Sequence, residues 1–184
     1  MNEFFSDEHN KEIAKLDRLW SALNELAQMA KSYGIDDLFQ DNGAKILQQL
    51  VYLNFDILPG REGNDAVSVS GTEWEMKSIN IGTSATGFST NHHTTFDIIN
   101  KYRSVPWSFA IYNGIKLLAI YVMSPAQLEP LFSHWETKLR TENVTHLNNP
   151  KIPIKFVKEK GLLVYPYDKT TPIDPDSINT NTED

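Results

Sequence analysis

The amino-acid sequence predicts a single mixed α/β domain over residues 1–167, with helices flanking one central sheet. Segments with apolar residues at helical spacing are followed by short β-branched segments separated by turn residues, then by a further helix and further strands. The length of 184 residues, with 40% hydrophobic and 22% charged residues, is typical of one globular domain with a core.

The N-terminal part of the chain is predicted to be helical. A stripe of apolar residues at three- and four-residue steps predicts a helix over 12–33 that ends at Gly34. The stripe consists of Leu16, Leu19, Trp20, Leu23, Leu26, Ala27 and Ala30. It can face the core or a second copy of the chain. A second helix is predicted over 36–53, with its apolar side formed by Leu38, Phe39, Ile46, Leu47, Leu50 and Leu53.

The middle of the chain is predicted to form strands. Four segments pair into two hairpins, 65–70 with 73–81 and 107–112 with 116–122. The second hairpin contains Asn113-Gly114, a dipeptide typical of tight turns between antiparallel strands. The polar segment 82–91 is predicted to be a loop, and a short helix is predicted over 95–103.

The C-terminal part is predicted to begin with a helix. Ser124, Pro125 and Gln127 form an N-terminal signal with a capping-box glutamine, and Pro130 is expected to delay or bend the helix. Two strands and a tail complete the prediction: strands over 152–157 and 162–165, and a disordered acidic tail over 168–184.

The net charge of −7 lies at the two ends of the chain. Residues 1–12 contribute −3 and residues 168–184 contribute −4, so residues 13–167 are neutral overall. Within them, 151–160 carries four lysines and one glutamate. Total charge therefore neither supports nor opposes a nucleic-acid partner, because a duplex binder needs only a local basic surface.

The sequence favours neither a membrane nor a secreted location. It contains no apolar run of about 18 residues, and its first residues lack the basic and apolar regions of a secretory signal. The absence of cysteine excludes disulfides and cysteine metal sites, and it is typical of proteins in a reducing cytoplasm.

The clearest candidates for catalytic chemistry are Asp65, Glu75 and Lys77. Glu75 and Lys77 are two positions apart on a predicted strand, so their side chains project to the same face. Asp65 begins the neighbouring strand of the same hairpin. Two carboxylates suit magnesium, and a lysine beside them can orient or deprotonate water near a phosphate. The alternative is an ordinary ion pair on a strand, worth ~0–1 kcal/mol.

Other segments show a resemblance to a known family. In chain order they are Gly34-Ile35, 39–43 (FQDNG), 58–67 (LPGREGNDAV), 77–81 (KSINI), 87–90 (GFST), His92-His93, 101–103 (KYR), 105–107 (VPW) and 148–153 (NNPKIP). With the Asp…Glu-x-Lys pattern, they resemble the PvuII family of the restriction-endonuclease superfamily over about residues 15–166. The resemblance implies a restriction-endonuclease-like fold, in which helices flank a central mixed sheet and the N-terminal helices form a dimerisation region.

The resemblance implies catalytic roles for five residues. Asp65 and Glu75 would bind the metal, and Lys77 would be the catalytic lysine. Asp41 matches an acidic residue near the active site and the minor groove, with a surface ion pair on the helix as the alternative. Tyr102 matches a tyrosine near the metal site, with an ordinary core aromatic as the alternative.

The resemblance also implies DNA-binding residues. His92 and His93 match base-contacting histidines whose ring N–H groups can donate to guanine, with an exposed polar pair or a zinc site as the alternatives. Asn148 and Asn149 match a second base-contacting pair, and they also suit a turn before the next proline. The predicted set is completed by Ser89, Asn91, Lys151 and Asp41. Asn91 stands where the family has a third histidine.

The function implied by the resemblance is that of a type II restriction endonuclease. A homodimer, with the helix over 12–33 in its interface, would cut a palindromic site in double-stranded DNA in the cytoplasm. The implied site is CAGCTG, cut to blunt ends with 5′-phosphate and 3′-hydroxyl, with one or two Mg²⁺ per subunit. Two alternatives stay open: a structure-specific repair or junction-resolving nuclease on the same core, and a DNA-binding module without catalysis.

Overall fold

The computed structural model describes residues 7–39, 42–58, 64–166 and 175. The chain divides into two compact units, Met1–Leu47 and Gln48–Asp184. The predicted site residue Asp41 lies outside the described residues, as does the predicted tail over 168–184 apart from residue 175. The single domain over 1–167 stays a prediction.

The first unit contains a long helix, α1 (Asp7–Ser32). It confirms the helix predicted over 12–33 and extends it toward the N-terminus. The helix ends at the predicted glycine, because Gly34 has a φ of +75° and the Ile35 N–H turns back to the Ala30 carbonyl at 3.0 Å. A left-handed residue directly after a helix satisfies carbonyl groups of the last turn in this way.

The second helix, α2 (Gly43–Leu53), is shorter than predicted. The prediction over 36–53 was wrong at its start, where residues 36–39 are irregular. The Asp37 side chain accepts a hydrogen bond from the Phe39 N–H at 2.8 Å, and Asn42 has a φ of +65°. Short polar side chains compete with helical hydrogen bonding by such local contacts. Helical bonding begins only at the Asn42 carbonyl, which accepts from Lys45 and Ile46.

Among the described residues of the second unit, eight strands form two sheets. They are β1 (Phe55–Ile57), β2 (Ala66–Ser68), β3 (Glu73–Asn80), β4 (Gly87–Ser89), β5 (Trp107–Asn113), β6 (Lys116–Met123), β7 (Lys151–Pro153) and β8 (Leu162–Tyr165). Six of them make a mixed sheet in the order β1-β2-β3-β5-β6-β8, in which only β3 and β5 run parallel. The two predicted hairpins, β2–β3 and β5–β6, are confirmed.

A two-stranded sheet of β4 and β7 stands apart from the six-stranded sheet. Two predictions were wrong here: β4 lies in the segment predicted to be a loop, and the strand predicted over 152–157 ends at Pro153, after which helix α5 (Ile154–Lys160) begins. β1 was missed as well. A short run of apolar residues is compatible with a strand or a helix. Which of the two forms depends on pairing with distant segments, which the local sequence does not show. Pro153 before α5 and Gly161 after it are the signals that indicate a helix.

Two further helices cover the sheet. The short helix predicted over 95–103 is confirmed as α3 (Phe96–Tyr102), capped by the Thr95 side chain. Helix α4 (Pro125–Thr141) has the predicted capping box, and it begins at its first proline, so Pro130 does not delay it. The core of the second unit lies between these helices and β5 and includes Ile99, Trp107, Phe109, Leu128 and Phe132. None of the described helices is long and apolar enough to cross a membrane.

Candidate active site

The β2–β3 hairpin brings Asp65 against the middle of β3. Asp65 precedes β2, and its backbone N–H donates to the Trp74 carbonyl at 2.9 Å. Its carboxylate oxygen Oδ2 accepts from the Met76 N–H at 2.7 Å. Met76 lies between Glu75 and Lys77, so the Asp65 carboxylate is held beside these two residues.

Glu75 and Lys77 share one face of β3, as expected from their spacing. The Lys77 Nζ lies 2.5 Å from Glu75 Oε1. The Glu75 residue is only 7% exposed, and the Lys77 side chain is 20% exposed. Trp107 of the parallel neighbour β5 stands opposite Glu75 in the register, and its ring centroid lies 5.6 Å from Lys77 Nζ. A buried ammonium above an indole ring is stabilised by the ring quadrupole.

Burial dominates the electrostatics of this cluster. It raises the pKa of Glu75 above its ordinary value of 4.5, with Lys77 opposing and the Asp65 charge reinforcing the rise. For Lys77, burial would lower the pKa, but the charges of Glu75 and Asp65 outweigh it and raise the pKa above 10.5. The cluster thus contains two carboxylates and one ammonium whose charges act on one another.

Tyr102 lies at the edge of the same cluster. Burial raises its pKa above 10.0, and Lys77, Glu75 and Asp65 all act on it electrostatically. Its hydroxyl oxygen accepts from the backbone N–H of Asn91 at 3.3 Å. We call Asp65, Glu75, Lys77 and Tyr102 the acid–lysine cluster.

The predicted DNA-binding residues other than Asp41 lie on or next to the β4–β7 sheet. In the register Ser89 stands opposite Lys151, and the Lys151 Nζ donates to Ser89 Oγ at 2.6 Å. Beyond the strands, Thr94 and Leu147 exchange two backbone hydrogen bonds of 3.0 and 2.9 Å. We call the paired segments 87–94 and 147–153 the β4–β7 ribbon.

Asparagine and histidine side chains connect the two segments of the ribbon. Asn149 has a φ of +49°, and its side-chain oxygen accepts from the Thr90 N–H at 2.9 Å. Its backbone N–H donates to the Asn91 carbonyl at 3.1 Å. His92 Nδ1 lies 3.4 Å from Asn148 Oδ1. His92 and Asn148 are exposed, so they can reach a ligand outside the chain.

The acid–lysine cluster suits a divalent cation. Among the described residues, no group of three or more His, Cys, Asp and Glu side chains could hold a metal ion. Magnesium needs fewer protein ligands, because it keeps several waters and binds through one or two carboxylates plus substrate phosphate. Asp65 and Glu75 supply two such carboxylates. The pKa of Glu75 is raised chiefly by burial and further by the Asp65 charge, and a bound cation would stabilise both carboxylates in their charged form.

Three residues at or beside the site were not predicted as parts of it: Trp107, His146 and Arg103. The His146 ring packs on the His93 ring with centroids 4.5 Å apart. Arg103 pairs with Glu129 at 2.8 Å and Glu136 at 2.6 Å on α4, which fixes the end of α3 next to Tyr102. The seven-residue spacing of the two acids places them on one helix face and is a detectable signal. The contacts of Trp107 and His146 arise from long-range pairing that has no local signature.

The chain matches the family model described as restriction endonuclease PvuII over residues 11–165. This match covers the whole acid–lysine cluster and the whole β4–β7 ribbon. The family implies DNA as the substrate and a divalent metal ion as the cofactor, in agreement with a buried and a half-buried carboxylate, a lysine and a ribbon with exposed polar side chains. The chain therefore belongs to the PvuII family of restriction endonucleases and is a type II site-specific deoxyribonuclease.

Proposed function

We propose that the chain is a Mg²⁺-dependent homodimeric endonuclease that cuts double-stranded CAGCTG at its centre, leaving blunt ends. The observation that supports this most is the hydrogen bond from Asn91 to Tyr102. It joins the β4–β7 ribbon to the acid–lysine cluster, so one bound duplex can meet both. The products would carry 5′-phosphate and 3′-hydroxyl groups.

Asp65 and Glu75 would hold one or two Mg²⁺, which when bound supply Lewis acidity at the scissile phosphate and acidify bound water. The Lys77 ammonium stabilises the negative charge that develops on the phosphate oxygens and orients the attacking water. Water attacks phosphorus in line with the 3′ oxygen, and the bond from phosphorus to that oxygen breaks. Tyr102 would border the reaction centre, and by its match to the family pattern Asp41 is proposed to lie near the minor groove.

Base contacts are assigned to the exposed side chains of the β4–β7 ribbon. His92 and His93 can donate ring N–H groups to guanine acceptors, and the amides of Asn148 and Asn149 can both donate to and accept from adenine. Ser89, Lys151 and Asn91 complete the DNA-binding set. Because this set matches the base-contacting positions of the family, the family's site CAGCTG is the proposed target.

The dimer follows from the palindrome and from α1. Twofold protein symmetry matches the twofold symmetry of such a site, with one strand cut by each subunit. Leu19, Leu26 and Met29 on α1 are 51, 38 and 42% exposed in the single chain. We assign this apolar surface to contact with a second copy. A cytoplasmic location is part of the proposal, because host DNA is there and the chain has no cysteine.

Mapping the ends of a digested plasmid tests the proposal. A fully sequenced plasmid is incubated with the protein in Mg²⁺, and every new end is sequenced. The proposal predicts blunt ends at the centre of CAGCTG, and a dimer by light scattering. Staggered ends, another consensus, or cuts only at junctions and unpaired regions would contradict the proposed specificity. Cutting at full rate without any divalent ion would contradict the proposed cofactor.

A further inference from the structure

His93 is an exposed side chain that two neighbours hold in place. Its ring packs against the half-buried ring of His146, with centroids 4.5 Å apart and planes inclined by 55°. The Thr145 hydroxyl lies 3.2 Å from His146 Nδ1 and orients that ring in turn. The exposed imidazole of His93 is therefore supported by a second imidazole, from the residue that directly precedes the opposite segment of the ribbon.

The backbone beneath His93 is fixed by Asn91. The Asn91 Oδ1 accepts from the His93 N–H at 2.8 Å, which closes a local Asx turn. The Asn91 carbonyl accepts from the Asn149 N–H at 3.1 Å and from the Thr94 hydroxyl at 3.0 Å. The side chain of Asn91 thus sets the path of the chain into His93 and is engaged within the protein.

We propose that His146 and Asn91 are positioning residues that fix the His93 imidazole for contact with a base edge, His146 through its ring and Asn91 through the His93 N–H. This inference rests on the proposed base contact by His93. An exposed histidine samples several rotamers, and ordering one of them on binding costs part of the contact energy. A ring that is already oriented toward the base before binding loses less rotamer entropy, so more of the contact energy contributes to discrimination between bases.

His92 offers an internal comparison. Its Nδ1 meets Asn148 Oδ1 at 3.4 Å, near the limit of a hydrogen bond, and both groups are exposed. His93 instead has a ring contact and a fixed backbone N–H. The difference between these neighbours assigns the stricter orientation, and hence the stricter base discrimination, to His93.

The test measures discrimination in cleavage. For His146→Ala and His146→Phe we determine a discrimination ratio. This ratio is kcat/KM on the mapped site divided by kcat/KM on duplexes in which one base pair of that site is changed. We expect a loss of about tenfold in this ratio for His146→Ala. Phenylalanine keeps the ring and should restore the ratio to within about twofold. The matched control is His134→Ala, an exposed histidine on α4 that lines the same cleft as His146, which should leave the ratio unchanged.

Two further variants test the backbone support. Asn91→Ala removes the acceptor for the His93 N–H and should lower the ratio, whereas Asn91→Asp keeps an oxygen there and should retain most of it. The His93 and Asn91 variants should melt within about a degree of the wild type, because both residues are exposed. His146 is half-buried, so His146→Ala should melt up to a few degrees lower, whereas His146→Phe, which keeps the ring, should melt close to the wild type. A general structural defect would instead lower the melting temperature and both kcat/KM values in parallel, and that result would overturn the proposal.

A double mutant separates this inference from the proposed function. Because His146 acts through His93, the variant His93→Ala/His146→Ala should discriminate no worse than His93→Ala alone. Additive losses would overturn the inference and leave His93 as a base-contacting residue. A wild-type ratio in His93→Ala would contradict the proposed contact itself, while a low ratio in His93→Ala with a wild-type ratio in His146→Ala would overturn only the positioning role.

Discussion

The acid–lysine cluster and the β4–β7 ribbon differ in how far their polar side chains are exposed to solvent. The cluster gathers charges inside the protein, where Glu75 is 7% exposed and the low dielectric strengthens every electrostatic interaction. The ribbon keeps its polar groups outside, where His92, His93 and Asn148 can meet base edges. The two-residue step along β3 positions Glu75 and Lys77, whereas the ribbon depends on hydrogen bonds between segments about 60 residues apart. Reaction rate and sequence discrimination should therefore respond to different substitutions.

The largest effect is expected from Asp65→Asn. Asparagine keeps an oxygen for the Met76 N–H but removes the charge that would bind metal. We predict that single-turnover cleavage falls about 1,000-fold or more. In the absence of metal the melting temperature should change little, because the lost repulsion between Asp65 and Glu75 is offset by the lost attraction between Asp65 and Lys77. Any rise in melting temperature that Mg²⁺ gives the wild type should disappear.

The matched control for this variant is Asp56→Asn, which removes an exposed carboxylate on β1. It should cut at the wild-type rate and keep the stabilisation by Mg²⁺. A cleavage rate in Asp65→Asn within about tenfold of the wild type would remove Asp65 from the metal site.

The next largest effect is expected on DNA binding, and here the melting temperature should distinguish Asn148 from Asn149. Asn148→Ala should weaken binding to the proposed site in Ca²⁺ by about 10- to 100-fold, at fixed salt, with no change in melting temperature. Asn149→Ala should weaken binding and also lower the melting temperature. It removes the acceptor for the Thr90 N–H and places alanine at a φ of +49°, each costing about 1 kcal/mol. Equal thermal destabilisation by both variants would show that Asn148 is structural.

A smaller effect is expected at the ion pairs of Arg103 with Glu129 and Glu136, which link the end of α3 to α4 and which we call the clamp. Arg103→Leu should lower the melting temperature by about 2–4 °C, since it removes ion pairs with two carboxylates worth about 1 kcal/mol together. The matched control Lys138→Leu removes a more exposed pair with Glu142 at 3.8 Å and should shift it by less than about 1 °C. A drop as large in Lys138→Leu would indicate that charge alone, without the clamp geometry, stabilises this face.

The clamp also predicts a pH dependence. The hydrogen bond from Arg103 lowers the pKa of Glu129 below its ordinary value of 4.5. Its stabilising contribution is therefore complete above 4.5 and is lost as the pH falls through the lowered value. The difference in melting temperature between the wild type and Glu129→Gln should be constant from pH 6 to 8, roughly, and shrink below 4.5. A difference that grows on acidification would contradict this sign.

The smallest effect concerns charge on the ribbon. Lys151→Ala should weaken binding to all duplexes alike and reduce the slope of log Kd against log salt by about one. Lys155→Ala, whose side chain is 85% exposed on α5, is the control and should keep the wild-type slope. A specific loss on the proposed site alone would assign Lys151 to a base instead of a phosphate.

The contrast between the two regions also explains what the sequence could predict. The two-residue step from Glu75 to Lys77 and the turn at Ser70-Gly71 are local patterns, so the hairpin and its shared face followed from them. The ribbon pairs 87–89 with 151–153, and no local pattern contains that pairing. Family resemblance grouped its residues, but their hydrogen-bond partners required the structure. The contact of His146 with His93 belongs to this second kind.

The most direct test of the account compares binding and cutting in a single variant, Lys77→Ala. Binding of the mapped site is measured in Ca²⁺, and single-turnover cleavage of the same duplex is measured in Mg²⁺. The account predicts a loss of about 100- to 1,000-fold in the cleavage rate with Kd within about tenfold of the wild type. Wild-type cutting, or a loss of binding as large as the loss of cutting, would contradict the assignment of reaction to the cluster and recognition to the ribbon.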